Sequence, residues 1–284
     1  MTLTPATMPS AYEIDAWRRI REWKDEPPSR PSGFSRLVQR PFHRAGDAVL
    51  NLPWVGGLVE RTFEGLVGVL SDAARYTVRP AAVWQRAGRK TGREVTAAEH
   101  LRALPLETID ALLRPLPRKY FSLAAVEGAG TGFLGVWGIP ADIMAVVGLN
   151  LRAVGEYATT CGFDIEREPE RLFAMHLLTL AGSVDPGDRA AEFAELDDLA
   201  GKLAGRHAWH DLEKQVFFTV LRRIAKMLGV RITRAKIAQI LPAVGLAAAG
   251  SFNALYTRRV CRAAFFLYRE RLLVEKYGAD PGVF

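Results

Sequence analysis

Apolar residues recur at three- and four-residue spacing along almost the whole of this 284-residue chain, and nowhere do apolar and polar residues alternate long enough to make a half-buried strand. That periodicity puts one apolar stripe on each helix and predicts an all-α fold, a multi-helix bundle. Candidate helices cover about residues 10–24, 34–50, 57–79, 96–104, 106–135, 140–161, 169–181, 188–204, 208–229, 233–241 and 243–276. The punctuation has local causes. Pro27-Pro28 ends the first helix, Gly162 is placed as a C-terminal cap, and Asp185-Pro186-Gly187-Asp188 reads as a turn followed by an N-cap. The linker-like stretch from Asp25 to Gly33 sets apart an N-terminal basic and aromatic arm, residues 1–33, from a helical domain over 34–284. With 49% apolar content over its 284 residues, the chain can bury a full core.

Glycine and proline interrupt the apolar helices in a repeated way. Gly130-Thr131-Gly132-Phe133-Leu134-Gly135 matches the G-x-G-x-x-G pattern of dinucleotide loops, but such a loop follows a buried strand and opens a long helix. Here the preceding residues read as helix, and Pro140 falls where the binding helix would run on. Gly-Lys-Ser and Gly-Lys-Thr are absent, which excludes a P-loop. Gly128, Gly132 and Gly135 are instead spaced by four and three, so they form a bare stripe that lets another helix approach closely. Each glycine gives up roughly 1 kcal/mol of helix propensity relative to alanine, which close packing or lipid must offset. Gly138 and Pro140 then start a new helix, with Asp142 facing the positive end of its dipole. "NLPWVGGLVERTFEGLVGVL" from Asn51 and "ILPAVGLAAAGSFNALYTRRV" from Ile240 repeat the pattern, the latter around Pro242 and Gly245. The expected architecture is a bundle of Gly/Pro-interrupted apolar helical hairpins.

Charge is divided along the sequence. The net charge is +7, yet acids dominate from Asp164 to Asp198, and no Asp or Glu occurs between Lys214 and Arg269. That acid-free segment carries Arg222, Arg223, Lys226, Arg231 and Arg234 among its bases, which suits an anionic partner such as lipid headgroups. Basic charge with no helix-turn-helix, zinc-finger or RNA-binding signature supports no specific nucleic-acid partner. In the arm, Trp17, Ile20 and Trp23 stand three apart among Arg18, Arg19, Arg21 and Lys24. That face suits a membrane interface and equally suits docking on the protein's own body. Ile237 to Thr257 is uncharged and just long enough to span a bilayer, but Pro242, Gln239, Ser251 and Asn253 make it weakly apolar. Spanning, shallow insertion and a buried core are its three readings. The N-terminus lacks an apolar h-region, so the expected location is cytoplasmic, peripheral to the inner membrane, with integral insertion as the variant.

"GFLGVWGIPADIMAVVGLNLRAVGEYATTCGFD" followed by "EPERLFAMHLLTLAG", and later "ILPAVGLAAAGSFNALYTRRVCRAAFFLYRERLL", resemble the two signature blocks of the EcsC family, over roughly residues 95–275. The correspondence rests on Gly135, Gly138, Pro140, Ala141, Asp142, Arg152, Gly162 and Asp164 in the first block and on Pro242, Gly245, Asn253, Arg259 and Arg271 in the second. Met144 departs from the pattern, standing where a proline often follows "PADI" in relatives. The resemblance implies a bacterial helical protein whose namesake is encoded beside an ABC transporter, and it implies no established activity.

The search for catalytic groups is similarly silent. H-E-x-x-H, G-x-S-x-G and a locally paired Cys-His are all missing. His207, His210 and Asp211 lack a fourth fixed ligand, and His176 reads as a hydrogen-bonded core residue, so no metal and no cofactor are expected. Cys161 and Cys261 lie inside apolar helical patterns and read as buried thiols. Arg152 and Glu156, four apart, are placed to pair, whereas Asp142 and Arg152 are about two and a half turns apart and need other groups between them. The reading that results is a non-enzymatic accessory or interaction protein at the cytoplasmic face of the membrane. Its expected partner is an anionic membrane surface or a membrane protein complex such as an ABC transporter. The competing readings are a hydrolase of lipid or peptide using Asp142, His207 and His210, and a soluble helical scaffold without membrane contact.

Overall fold

The computed structural model describes residues 8–26, 53–72, 78–131, 138–165, 167–183, 186–204, 221–226, 228–229 and 247–278. Among them no residue lies in a strand, and the fold is all-α. The helices are α1 (Ala11–Asp25), α2 (Pro53–Ser71), α3 (Pro80–Thr91), α4 (Ala98–Arg102), α5 (Leu106–Leu113), α6 (Leu116–Thr131), α7 (Ile139–Thr160), α8 (Glu168–Gly182), α9 (Pro186–Ala204) and α10 (Ala247–Tyr277). Residues 221–226 and 228–229 are also helical. The expected helices over 34–50 and 233–241 lie outside the described residues, as do Gly132, Gly135, Pro242, Gly245, Arg231, Arg234, His207, His210 and Asp211.

Two helices form the centre. Every residue of α7 from Ala153 to Thr160 is buried, the signature of a helix surrounded by others. It packs on α2, α6 and α10, and α10 packs in turn on α6, α7, α8 and α1. With 31 residues α10 extends roughly 46 Å at 1.5 Å per residue, long enough to touch most of the molecule. Buried Leu151, Val154, Phe173, Leu177, Leu267 and Tyr268 belong to one continuous core. Cys161 and Cys261 are free and buried in it, and burial pushes the Cys261 thiol up to about 12.

The expected helix over 106–135 is divided. Pro115 supplies no N–H to continue the hydrogen-bond ladder, so α5 stops at Leu113 and α6 begins at Leu116, although Arg114 between them keeps right-handed helical backbone. Helix α3 falls in a stretch the periodicity left without one. It buries only Val83 and Ala87 fully, a stripe too thin to read, and is bounded instead by Pro80 in its first turn and by left-handed Gly92 after its end. Asp188 is a first-turn acid of α9, which already begins at Pro186, rather than its N-cap. Gly162 does cap α7. Its φ is 83°, its N–H reaches the Thr159 carbonyl at 3.0 Å, and the Phe163 N–H reaches the Ala158 carbonyl at 2.9 Å, which together make a Schellman motif.

Of the two uses expected for the face of Trp17, Ile20 and Trp23, the structure gives docking on the protein's own body. All three side chains are buried. Trp23 stacks on Phe266 of α10 at 4.8 Å and meets Phe193 of α9 edge-on at 5.4 Å. A Ser10/Glu13 capping box starts α1, and ion pairs at its other end join Lys24 to Glu270 and Asp197. Tyr12 donates to Asp110, which in turn pairs with Arg269 through Nε at 2.8 Å.

Candidate functional site

The two stretches that carry the motif residues meet along α7 and α10. Gly138 precedes α7, Pro140 lies in its first turn, and this start aims Asp142 at α10. The Asp142 carboxylate is buried and accepts a 3.0 Å hydrogen bond from Asn253 Nδ2. Two turns further along α7, Asn150 donates to its own helix at Val146 and to the Thr257 hydroxyl at 3.1 Å. These rungs advance in the same sense on both helices. Asp142 is therefore a first-turn acid, as its position suggested, and also an acceptor for Asn253, which lies 111 residues away.

A second node is built on Glu156. Arg86 of α3 reaches its Oε1 at 2.8 Å, while Lys119 and the Tyr120 hydroxyl of α6 reach its Oε2 at 2.6 and 2.7 Å. Burial alone would raise this carboxyl, but the bonds from Lys119, Arg86 and Tyr120 outweigh it and hold Glu156 below the usual glutamate range. The expected partner Arg152 is exposed, and Glu156 takes cations from two other helices instead. Arg152 likewise stays apart from Asp142, one side chain being exposed and the other buried.

The remaining motif residues divide by environment. Asp164 and Arg259 are exposed, whereas Arg271 forms a bidentate pair with Glu170, both bonds 2.6 Å, and lies over the rings of Phe163 and Phe173 at 4.2 and 4.5 Å. That arrangement ties α8 to α10 and is structural in character. Arg222, Arg223 and Lys226 are exposed, with Leu221, Ile224, Ala225 and Leu228 buried beneath them. Gly128 lies in α6.

Sequence reasoning missed one cluster. His176 of α8 and Glu192 and Glu195 of α9 bring one nitrogen and two carboxylate oxygens within 4.8 Å of one another, the one group among the described residues with the donors for a metal ion. His176 is buried, as expected for a core residue, but its partners come from the acidic stretch between Asp164 and Asp198. The usable signal was the three-residue spacing of Glu192 and Glu195, which places both on one side of α9.

An all-α protein with two central helices joined by buried polar rungs is the class these features define. The EcsC protein family model matches residues 14–273, and the chain belongs to that family. It is 27% identical over 188 residues to uncharacterized protein YdbA of Bacillus subtilis (strain 168), an alignment covering 63% of each chain. It is 26% identical over 184 residues to protein EcsC of the same organism, covering 65% of this chain and 72% of that one. The chain thus spans less than two thirds of the length of YdbA. No solved structure matches it.

Proposed function

We propose that this protein is a non-enzymatic accessory protein that docks peripherally on the anionic cytoplasmic face of a bacterial membrane. The observation that carries this reading is the exposure of six basic side chains among the described residues of the acid-free segment. Arg222, Arg223, Lys226, Arg258, Arg259 and Arg262 are all exposed, and the apolar residues interleaved with them are buried. Arg223 and Arg262 also pair with Glu195 and Glu26, so Arg222, Lys226, Arg258 and Arg259 are the better candidates for headgroup contact.

Helix α6 supports a shallow apolar contribution. Phe121, Leu123 and Val126 are 42%, 46% and 73% exposed, directly after the exposed cation Arg118 and after Lys119, whose ammonium pairs with Glu156. Arginine and lysine at headgroup level with apolar side chains beneath is the arrangement of an interfacial helix. Among the described residues no helix is long and apolar enough to cross a membrane. Asn253 and Thr257, at the end of the uncharged run, are buried and hydrogen-bonded to α7. A membrane complex such as an ABC transporter is the partner class implied by the family resemblance.

Fractionation of bacterial cells expressing the chain tests this. Recovery with the membranes at low salt and release by a high-salt wash is the expected result. A chain that needs detergent for release would replace docking by insertion, and one that never pellets would leave the soluble scaffold.

A further inference from the structure

We propose that His176, Glu192 and Glu195 form a binding site for one divalent first-row transition ion, Zn2+ being the natural probe, at the junction of α8 and α9. The histidine-to-carboxylate distances fit such an ion, and all three ligand atoms lie within 4.8 Å of one another. Ligand atoms each about 2.1 Å from a tetrahedral centre stand roughly 3.4 Å from one another. His176 Nδ1 lies 3.2 Å from Glu195 Oε2 and 3.7 Å from Glu192 Oε2, on either side of that value.

The histidine gives the independent reason to place a ligand there. His176 is 8% exposed, and its Nδ1 is buried and has no hydrogen bond of acceptable geometry, although it faces both carboxylates. A buried ring nitrogen that meets two carboxylate oxygens at 3.2 and 3.7 Å without an aligned hydrogen bond to either is satisfied directly by a metal ion placed among the three. The donor set selects the class of ion. One imidazole nitrogen with two carboxylate oxygens suits zinc and its first-row neighbours, whereas calcium and magnesium prefer oxygen alone. Two carboxylates and a neutral imidazole also balance the charge of a divalent ion.

The surroundings hold the ligands in place. The Thr179 hydroxyl hydrogen-bonds Glu192, and Arg223 Nη2 holds Glu195 through Oε1 at 2.5 Å, which leaves Oε2 turned toward the histidine. Such outer partners orient ligands in known metal sites. The Glu195 side chain is 35% exposed, so an ion has a path from solvent. Three protein ligands leave at least one position for water, as in zinc sites that are not purely structural.

The test uses the full-length protein freed of metal by a chelator and titrated with Zn2+ in competition with a chromophoric chelator. The variants are Glu195→Gln, His176→Gln, and the double variant His207→Gln/His210→Gln, which removes the other histidine pair. One Zn2+ per chain is expected, with affinity at least tenfold weaker in Glu195→Gln and His176→Gln and unchanged in the double variant. Circular dichroism of the metal-free variants reports folding. Glu195→Gln alters a partly exposed side chain and decides the matter alone if His176→Gln unfolds. No Zn2+ held by the wild type, equal affinity in Glu195→Gln, or a loss confined to the double variant would each overturn the site. None of these outcomes depends on membrane binding.

Discussion

Asn253 donates into a carboxylate that solvent barely reaches, so its removal has a calculable consequence. Replacing Asn253 with alanine withdraws a donor from Asp142 and leaves a small void, an expected loss of about 1–3 kcal/mol in urea denaturation. Glu156 gives a pH signature. Its folded pKa is depressed, so its contribution is fully present above the unfolded glutamate value of about 4.3 and is lost as pH falls through the lower folded value. Glu156→Gln should destabilise by about 1–3 kcal/mol at neutral pH, and the gap to wild type should close on acidification below pH 4.3, as read by melting at a series of pH values. A gap that stays constant with pH would contradict the ionised role. Sequence alone reached these residues unevenly. Asp142 and Asn253 were nameable one by one through the motif, but a bond across 111 positions has no local pattern. Helix periodicity offers Glu156 only Arg152, a neighbour on its own helix, whereas its cations come from α3 and α6.

At the scale of elements, two contacts decide how helices end and dock. A Cβ at Gly162 would approach the Ala98 carbonyl within 2.8 Å and Arg102 Cγ within 2.5 Å, in addition to the strain of positive φ. Gly162→Ala should therefore destabilise by at least about 1 kcal/mol, where alanine at an unstrained helical glycine would be stabilising, and calorimetry distinguishes the two. Trp23 seats α1 between α9 and α10, so Trp23→Ala should cost about 3–5 kcal/mol in stability. If the arm served lipid alone, the substitution would leave the melting temperature unchanged and weaken vesicle binding. Most elements were legible because proline and glycine mark their ends: α7 begins at Gly138 and Pro140 and closes at Gly162 as read. The failures are physical as well. A thin apolar stripe hid α3, and the break at Pro115 was overridden by the strong periodicity on either side of it. Docking of α1 on Phe266 and Phe193 depends on tertiary contacts, which left its aromatic face with two equal readings.

Across the whole molecule, the division of charge seen in the sequence becomes a division of surface roles. Glu170 and Asp110 are taken up by the buried or half-buried Arg271 and Arg269, whereas Arg222, Lys226, Arg258 and Arg259 of the acid-free segment are exposed. Each cation at an anionic surface contributes on the order of 1 kcal/mol, so four acting together exceed the 1.4 kcal/mol that corresponds to tenfold. Screening over about 8 Å at physiological ionic strength makes that attraction sensitive to salt. The decisive measurement is co-sedimentation with vesicles of zwitterionic lipid alone and with added anionic lipid. It compares the wild type with a variant carrying Arg222→Gln, Lys226→Gln, Arg258→Gln and Arg259→Gln. Binding only to anionic vesicles, loss of that binding as salt rises, and at least a tenfold weaker association of the variant are expected. Equal binding by both proteins, or no binding by the wild type at low salt, would contradict docking on an anionic surface.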